Sequence, residues 1–147
     1  MARNCQAGDS GQGRQPQFDK PARASIDHTR LEGKAYGVKA GNNSNVSVRD
    51  SSASGSGNAG FFAELAGSNN STLRLQSCMS THNVVGVKMV YVSGGTMLIG
   101  LSNVTIYGSF TAGIQRVSPM INLFRIRSYG NNHNSDSGVP DETMALQ

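Results

Sequence analysis

Four arginines stand where they could act together. Arg125 and Arg127 flank Ile126, so on an extended strand that turns Ile126 inward both guanidiniums point out on one side. Arg74 precedes Leu75 and Arg49 follows Val48, in runs of the same alternating kind. Counted from these apolar neighbours, Arg127 shares a register with Arg49, and Arg125 shares one with Arg74. Such a stripe is a candidate binding face for an acidic polysaccharide. Arginines on a sheet also discourage edge-to-edge pairing, and the pattern serves that role equally well.

The charge distribution points the same way. The 147-residue chain carries a formal net charge of +4, yet no carboxylate occurs from Leu65 to Ser135. Arg74, Lys88, Arg116, Arg125 and Arg127 all fall in that stretch. Five cations over so long a segment are too sparse for a nucleic-acid binder, which clusters its charges, and they also serve simply as solubilising groups.

Other chemistry is thinner. Asp27-His28 and Asp50 lie about one repeat apart, and beyond Glu64 the next carboxylate is Asp136, which falls short of a catalytic cluster. His28 reads as a turn residue. His82 and His133 sit in Asn- and Ser-rich turns without a metal-ligand partner at useful spacing. Cys5 and Cys78 are too few and too far apart for a disulfide framework or a zinc site. No catalytic residue, metal or cofactor is therefore assigned. Most of Phe61, Phe62, Phe110, Phe124, Tyr91, Tyr107 and Tyr129 are expected to face inward, the alternative being an outward platform for sugars. No run approaches the twenty apolar residues of a membrane span, and the N-terminus has no apolar core of a signal peptide.

The elements that must position these residues emerge from a repeat. Gly37, Gly60, Gly86, Gly113 and Gly138 each open an apolar pair or triplet, at spacings of 23, 26, 27 and 25. Eleven or twelve residues before each stands Ile26, Val48, Leu75, Leu101 or Ile126. Two residues after each of these comes a turn-compatible residue: His28, Asp50, Ser77, Asn103 or Ser128. Between turns the apolar residues alternate in short runs, as in Val104-Thr105-Ile106, which is the period of a strand. A unit of about 25 residues made only of short strands and tight turns cannot bury its apolar side alone. Stacked coils solve this, so the repeat predicts a right-handed parallel β-helix of about five to six coils. Residues 1–21 are expected to be irregular or an incomplete first coil, 22–135 the coils, and 136–147 a polar tail.

Several segments resemble a bacterial family of right-handed parallel β-helix repeat proteins. They are Ala22-Arg23-Ala24-Ser25-Ile26-Asp27, Tyr36-Gly37-Val38-Lys39-Ala40, Asn45-Val46-Ser47-Val48-Arg49-Asp50-Ser51, Leu73-Arg74-Leu75-Gln76-Ser77-Cys78, Ser102-Asn103-Val104-Thr105-Ile106 and Arg127-Ser128-Tyr129-Gly130-Asn131-Asn132. The resemblance implies a pectin lyase-like fold and an exported, extracellular protein. It also implies that this chain corresponds to the C-terminal coils of the family or to a short relative. Pectin-cleaving enzymes on this fold use clustered carboxylates for Ca²⁺ with Arg or Lys as the base, and Asp27-His28 resembles an Asp-His pair of pectate lyases.

The expectation is thus a non-catalytic β-helix module presenting a surface for carbohydrate binding or adhesion. The ligand-binding residues would be Arg49, Arg74, Arg125 and Arg127, and the partner an acidic polysaccharide rather than nucleic acid. The alternative is a fragment or degenerate relative of a polysaccharide lyase or glycoside hydrolase. A third reading is end-to-end self-association through open coil ends.

Overall fold

The computed structural model describes residues 16–18, 21–67, 70–118 and 124–144. Among these the chain forms sixteen strands, β1 to β16 in chain order, and no helix. The strands assort into three parallel sheets. Sheet A stacks β1 (Gln17–Phe18), β4 (Tyr36–Ala40), β7 (Ala59–Gly67), β10 (Val85–Gly94) and β13 (Ala112–Val117). Sheet B stacks β2 (Ala22–Asp27), β5 (Ser44–Arg49), β8 (Ser71–Gln76), β11 (Met97–Ser102) and β14 (Phe124–Ser128), with β16 (Glu142–Thr143) beyond β14. Sheet C stacks β3 (Arg30–Glu32), β6 (Ser52–Ser54), β9 (Met79–Thr81), β12 (Thr105–Tyr107) and β15 (His133–Asn134).

Along the chain the sheets are visited in the order B, C, A, so each circuit is one coil of a parallel β-solenoid. Four circuits are complete, not the five to six that the repeat predicts. Strand β1 precedes them, and β14 with β15 begins a fifth. That fifth circuit does not close. Where a sheet A strand would start, the Ser137 carbonyl accepts the N–H groups of Gly113 (2.8 Å) and Ile114 (3.1 Å). Gly138 then takes a positive φ of 95°, Pro140 offers no N–H, and the chain crosses to sheet B as β16. Of the residues read as a polar tail, 136–144 are therefore folded across the last coil, and 145–147 lie outside the described residues.

A chain that returns to its starting corner every coil must turn sharply there, and the turns recur in columns. Between sheets B and C, His28, Asp50, Ser77 and Asn103 adopt φ values of 51°, 47°, 51° and 52°. Gly130, at φ 82°, occupies the same corner of the last coil. Between sheets C and A the corresponding residues are Gly33, Gly55, His82 and Gly108, at 62°, 64°, 52° and 68°. Asn, Asp, His and Gly are the residues that tolerate this left-handed region best. In the first three coils each corner N–H finds a backbone carbonyl one coil on, as when His28 donates to Arg49 (3.1 Å) and Asp50 to Gln76 (3.1 Å), whereas Asn103 and Gly108 donate to the side chains of Asn131 (2.9 Å) and Asp136 (3.0 Å).

The interior is built of stacked side chains. Ile26, Val48, Leu75 and Leu101 lie in one column, as their spacing predicts, and all are buried. Ile126 does not join them. It pairs with Ile99 instead, and Ser128 stands beside Leu101. The last coil replaces the apolar residue by a buried hydroxyl, whose Oγ accepts from Asn132 Nδ2 (2.9 Å) and the Gly130 N–H (3.3 Å). Asn132 also donates to the Leu101 carbonyl (2.8 Å) and accepts from the Val104 N–H (2.7 Å). Asn83 does the same at the corner between sheets C and A, two coils earlier: fully buried, it accepts from the Ser56 N–H (2.8 Å) and donates to the Ala53 carbonyl and Ser80 Oγ (both 2.9 Å). These amides substitute for backbone partners that the turns remove.

Of the aromatic residues, Phe61, Phe124 and Tyr91 are interior, Tyr91 stacking on Phe124. Phe62 is buried on the outer side of sheet A, where it stacks on Tyr36 with ring centroids 4.6 Å apart. Phe110, Tyr107 and Tyr129 are exposed, so three of the seven aromatic residues face inward and not the expected majority. Cys78 is buried, and Cys5 lies outside the described residues.

Gly37, Gly60, Gly86 and Gly113 align in register across sheet A. The column is tight: a methyl group on Gly86 would lie 2.5 Å from both the Gly113 carbonyl oxygen and Ile106 Cγ2. Gly86→Ala is expected to cost about 1–3 kcal/mol, the range for overpacking a well-filled interior, read as a lowered urea midpoint. Gly100→Ala is the control. Its new methyl would meet only ordinary contacts, at 3.6 and 3.9 Å, so its midpoint should stay near that of the parent.

Candidate functional site

Parallel pairing turns strand alternation into columns on the outer side of sheet B as well. One column runs Arg23, Asn45, Thr72, Leu98, Arg125. The next runs Ser25, Ser47, Arg74, Gly100, Arg127, Glu142. The third runs Asp27, Arg49, Gln76, Ser102. All four arginines singled out in the sequence lie on this one face. Their register differs from the expected one. Arg74 aligns with Arg127 across Gly100, whereas Arg49 and Arg125 occupy separate columns. The cause is the two-residue slip that places Ser128, not Ile126, beside Leu101.

Arg74 and Arg127 are two strands apart, a backbone separation of about 9.6 Å at the usual strand spacing. Gly100, between them, contributes no side chain, so the wall is notched there. The Tyr129 ring edge and the Arg74 stem flank the notch, 3.6 and 3.9 Å from where a Gly100 methyl would be. At the other end of the face Arg23, Asn45 and Thr72 join Pro21, Asn43 and Asn70 around an open groove of about 410 Å³. Arg23, Asn45 and Thr72 were not singled out from the sequence. The alternation Ala22-Arg23-Ala24-Ser25-Ile26 carries the signal for the first of them.

The arginines are not equally available. Arg49 Nε lies 3.4 Å from Asp27 Oδ1. Arg127 Nε donates to Glu142 Oε2 at 3.0 Å, and Arg125 Nη1 to the same oxygen at 3.4 Å. Arg116, on sheet A, pairs with Asp141 at 2.7 Å. Acid residues that begin just after the acid-free stretch thus neutralise part of it, a pairing the sequence does not announce. Arg74 forms no ion pair among the described residues. The balance of the face still favours cations: Arg23, Arg49, Arg74, Arg125 and Arg127 against Asp27 and Glu142 leave a surplus of three. The whole chain has a formal surplus of four.

Protonation equilibria follow these contacts. The Arg127 side chain bonds Glu142 and, secondarily, the Tyr129 hydroxyl, which pushes its already high pKa further up. Its bond to Arg127 holds the Glu142 carboxyl below the usual glutamate value, with Arg125 assisting. Burial alone would raise Asp136. The N–H groups of Ser109 (2.8 Å) and Gly108 (3.0 Å), with His82 nearby, outweigh that and hold it low. Burial pushes the Cys78 thiol up.

A second hollow, about 370 Å³, lies at the corner between sheets B and C and includes His28, Arg30, Asp50 and Ser77. His28 Nε2 is 3.9 Å from Asp50 Oδ2, with both side chains exposed. Asp27 is engaged elsewhere, by Arg49 and by Ser25 Oγ (2.9 Å), so the two aspartates do not face one another as a pair. His28 occupies its corner as the first of the left-handed turn residues. Among the described residues no three His, Cys, Asp or Glu side chains converge on a metal position, and no helix is long and apolar enough to cross a membrane.

The Asp136 contacts make acid sensitivity testable. A carboxyl whose folded pKa is depressed stabilises the fold above its unfolded value, about 3.9 for aspartate, and loses that contribution as pH falls through the lower folded value. Protection of the Gly108 and Ser109 amides, measured as exchange relative to the intrinsic rate at each pH, should therefore be high at neutral pH and fall below about pH 4. Asp136→Asn should leave at least one of those amides fast at pH 7. Protection unchanged in the variant would show that the carboxylate does not hold this corner.

Comparison with family models, with curated proteins and with solved structures yields no match to this chain, so the site stands on its own chemistry.

Proposed function

We propose that this chain is a non-catalytic β-solenoid module that binds acidic polysaccharide along the outer face of sheet B. The observation that carries the reading is the surplus of three cations that the described residues place on one sheet face, with a guanidinium, Arg74, that has no ion-pair partner among those residues, at the edge of the Gly100 notch. A regular array of strands presents groups at fixed intervals, which suits a polymer of repeating anionic units better than a compact ligand. Guanidinium forks match carboxylate and sulfate oxygens geometrically. The Tyr129 ring beside Arg74 offers an apolar surface on which the face of a sugar ring can rest. Asn45, Thr72 and Gln76 add uncharged donors and acceptors for hydroxyl groups. The resemblance to bacterial β-helix repeat proteins adds an exported location to the proposal.

The test is binding of polygalacturonate, with neutral dextran as control. The parent should bind polygalacturonate and not dextran, with affinity falling as salt is added because exposed charges are screened. Arg74→Ala removes no ion pair among the described residues. It should weaken binding about tenfold while melting like the parent, a loss of about 1.4 kcal/mol. Unchanged affinity in Arg74→Ala would place the contact elsewhere. Release of unsaturated or reducing ends would replace a binding module by an enzyme.

A further inference from the structure

The face described above is partly occupied by the chain itself. The segment 141–144 is laid beside β14 by backbone bonds: the Asp141 N–H donates to the Ile126 carbonyl (2.8 Å) and the Met144 N–H to the Ser128 carbonyl (2.7 Å). Asp141 anchors it further. Its carboxylate accepts the Ile126 N–H at 2.7 Å and pairs with Arg116. The neighbouring Glu142 does something different. Its side chain follows the outward column of Arg74, Gly100 and Arg127, and one oxygen receives both Arg127 and Arg125. The segment would remain attached through Asp141 and the two backbone bonds if that carboxylate were uncharged.

We infer that Glu142 is an internal competitor, a tethered carboxylate that occupies the Arg125–Arg127 half of the face and must yield before an anionic polymer can use it. This rests on the proposed binding face and deepens it by naming what regulates that face. A carboxylate bridging two guanidiniums two residues apart on one strand is also a view of the contact that an external carboxylate would make. Being tethered, Glu142 needs little affinity of its own to hold the site, because its effective concentration is high. With Glu142 in place a ligand meets Arg23, Arg49 and Arg74 first, and the C-terminal half of the face only by displacement.

The experiment compares polygalacturonate binding by the full chain, Arg74→Ala and three further variants at neutral pH and low salt. Glu142→Gln is expected to bind about tenfold more tightly than the parent, the gain set by two freed guanidiniums. Glu32→Gln makes the same change in net charge on sheet C, away from the face, and is expected to alter affinity less than about twofold. Glu142→Asp keeps the charge but shortens the side chain. It is expected to tighten binding about threefold and carries the test if Glu142→Gln melts early. Binding by Glu142→Gln with none by the parent would also support the inference, as a latch fully closed. Parent binding that Arg74→Ala weakens but neither Glu142 variant tightens would overturn the inference and leave the binding face standing. No binding by any of the proteins would overturn both.

Discussion

Everything in this molecule depends on each strand lying beside its equivalent one coil away, so that backbone hydrogen bonds run along the stack. This requirement fixes the rest. The chain must close a circuit every 22 to 27 residues, the intervals at which equivalent residues such as Ile26, Val48, Leu75 and Leu101 recur. It must do so through corners too sharp for ordinary φ values. Hence the two columns of left-handed residues, and hence a composition rich in Gly, Asn and Ser that would otherwise suggest a chain close to disorder. Sparse apolar residues suffice because they are stacked, each interior column continuing through the coils.

The same constraint creates the face. Parallel, in-register pairing carries outward residues into columns as surely as inward ones, so arginines far apart in sequence come to share one plane. It also concentrates like charges. The solenoid relieves this through carboxylates from neighbouring coils, Asp27 for Arg49 and Glu142 for Arg125 and Arg127, rather than through residues on the same strand. Arg74 has Ser47 on one side and Gly100 on the other, and neither can neutralise it. The C-terminal segment therefore has two roles: its amide and acid side chains satisfy N–H groups of the last coils, and one of its carboxylates moderates the charge of the face.

Most of the architecture was legible because a repeat states the same information several times. The glycine column from Gly37 to Gly113 and the turn residues His28, Asp50, Ser77 and Asn103 are found by spacing alone, since each position is physically intolerant of substitutes. What failed was the last repeat. There Ser128 replaces an apolar residue and Gly130 replaces a polar turn former, so matching by residue type selects Ile126, two places early. That slip carried over to the arginine columns. The pairings to Asp141 and Glu142 were illegible for another reason: they depend on the chain leaving the repeat, crossing back to sheet B and adding a short strand, and no periodic signal marks that step. The number of complete coils was overstated because a glycine at the right spacing, Gly138, follows a residue, Ser137, whose carbonyl bonds the preceding coil without a strand beginning there.

The most direct test of the central claim is to map contact residue by residue. Backbone amide shifts of the uniformly ¹⁵N-labelled chain, followed as oligogalacturonate is added, should move at Arg23, Asn45, Thr72, Arg74, Gly100 and Tyr129. Shifts on sheet A, at Lys88, Val90 and Gln115, and on sheet C should stay still. Perturbation confined to sheet A or C, or none at millimolar ligand, would contradict the assignment of the outer face of sheet B as the binding surface.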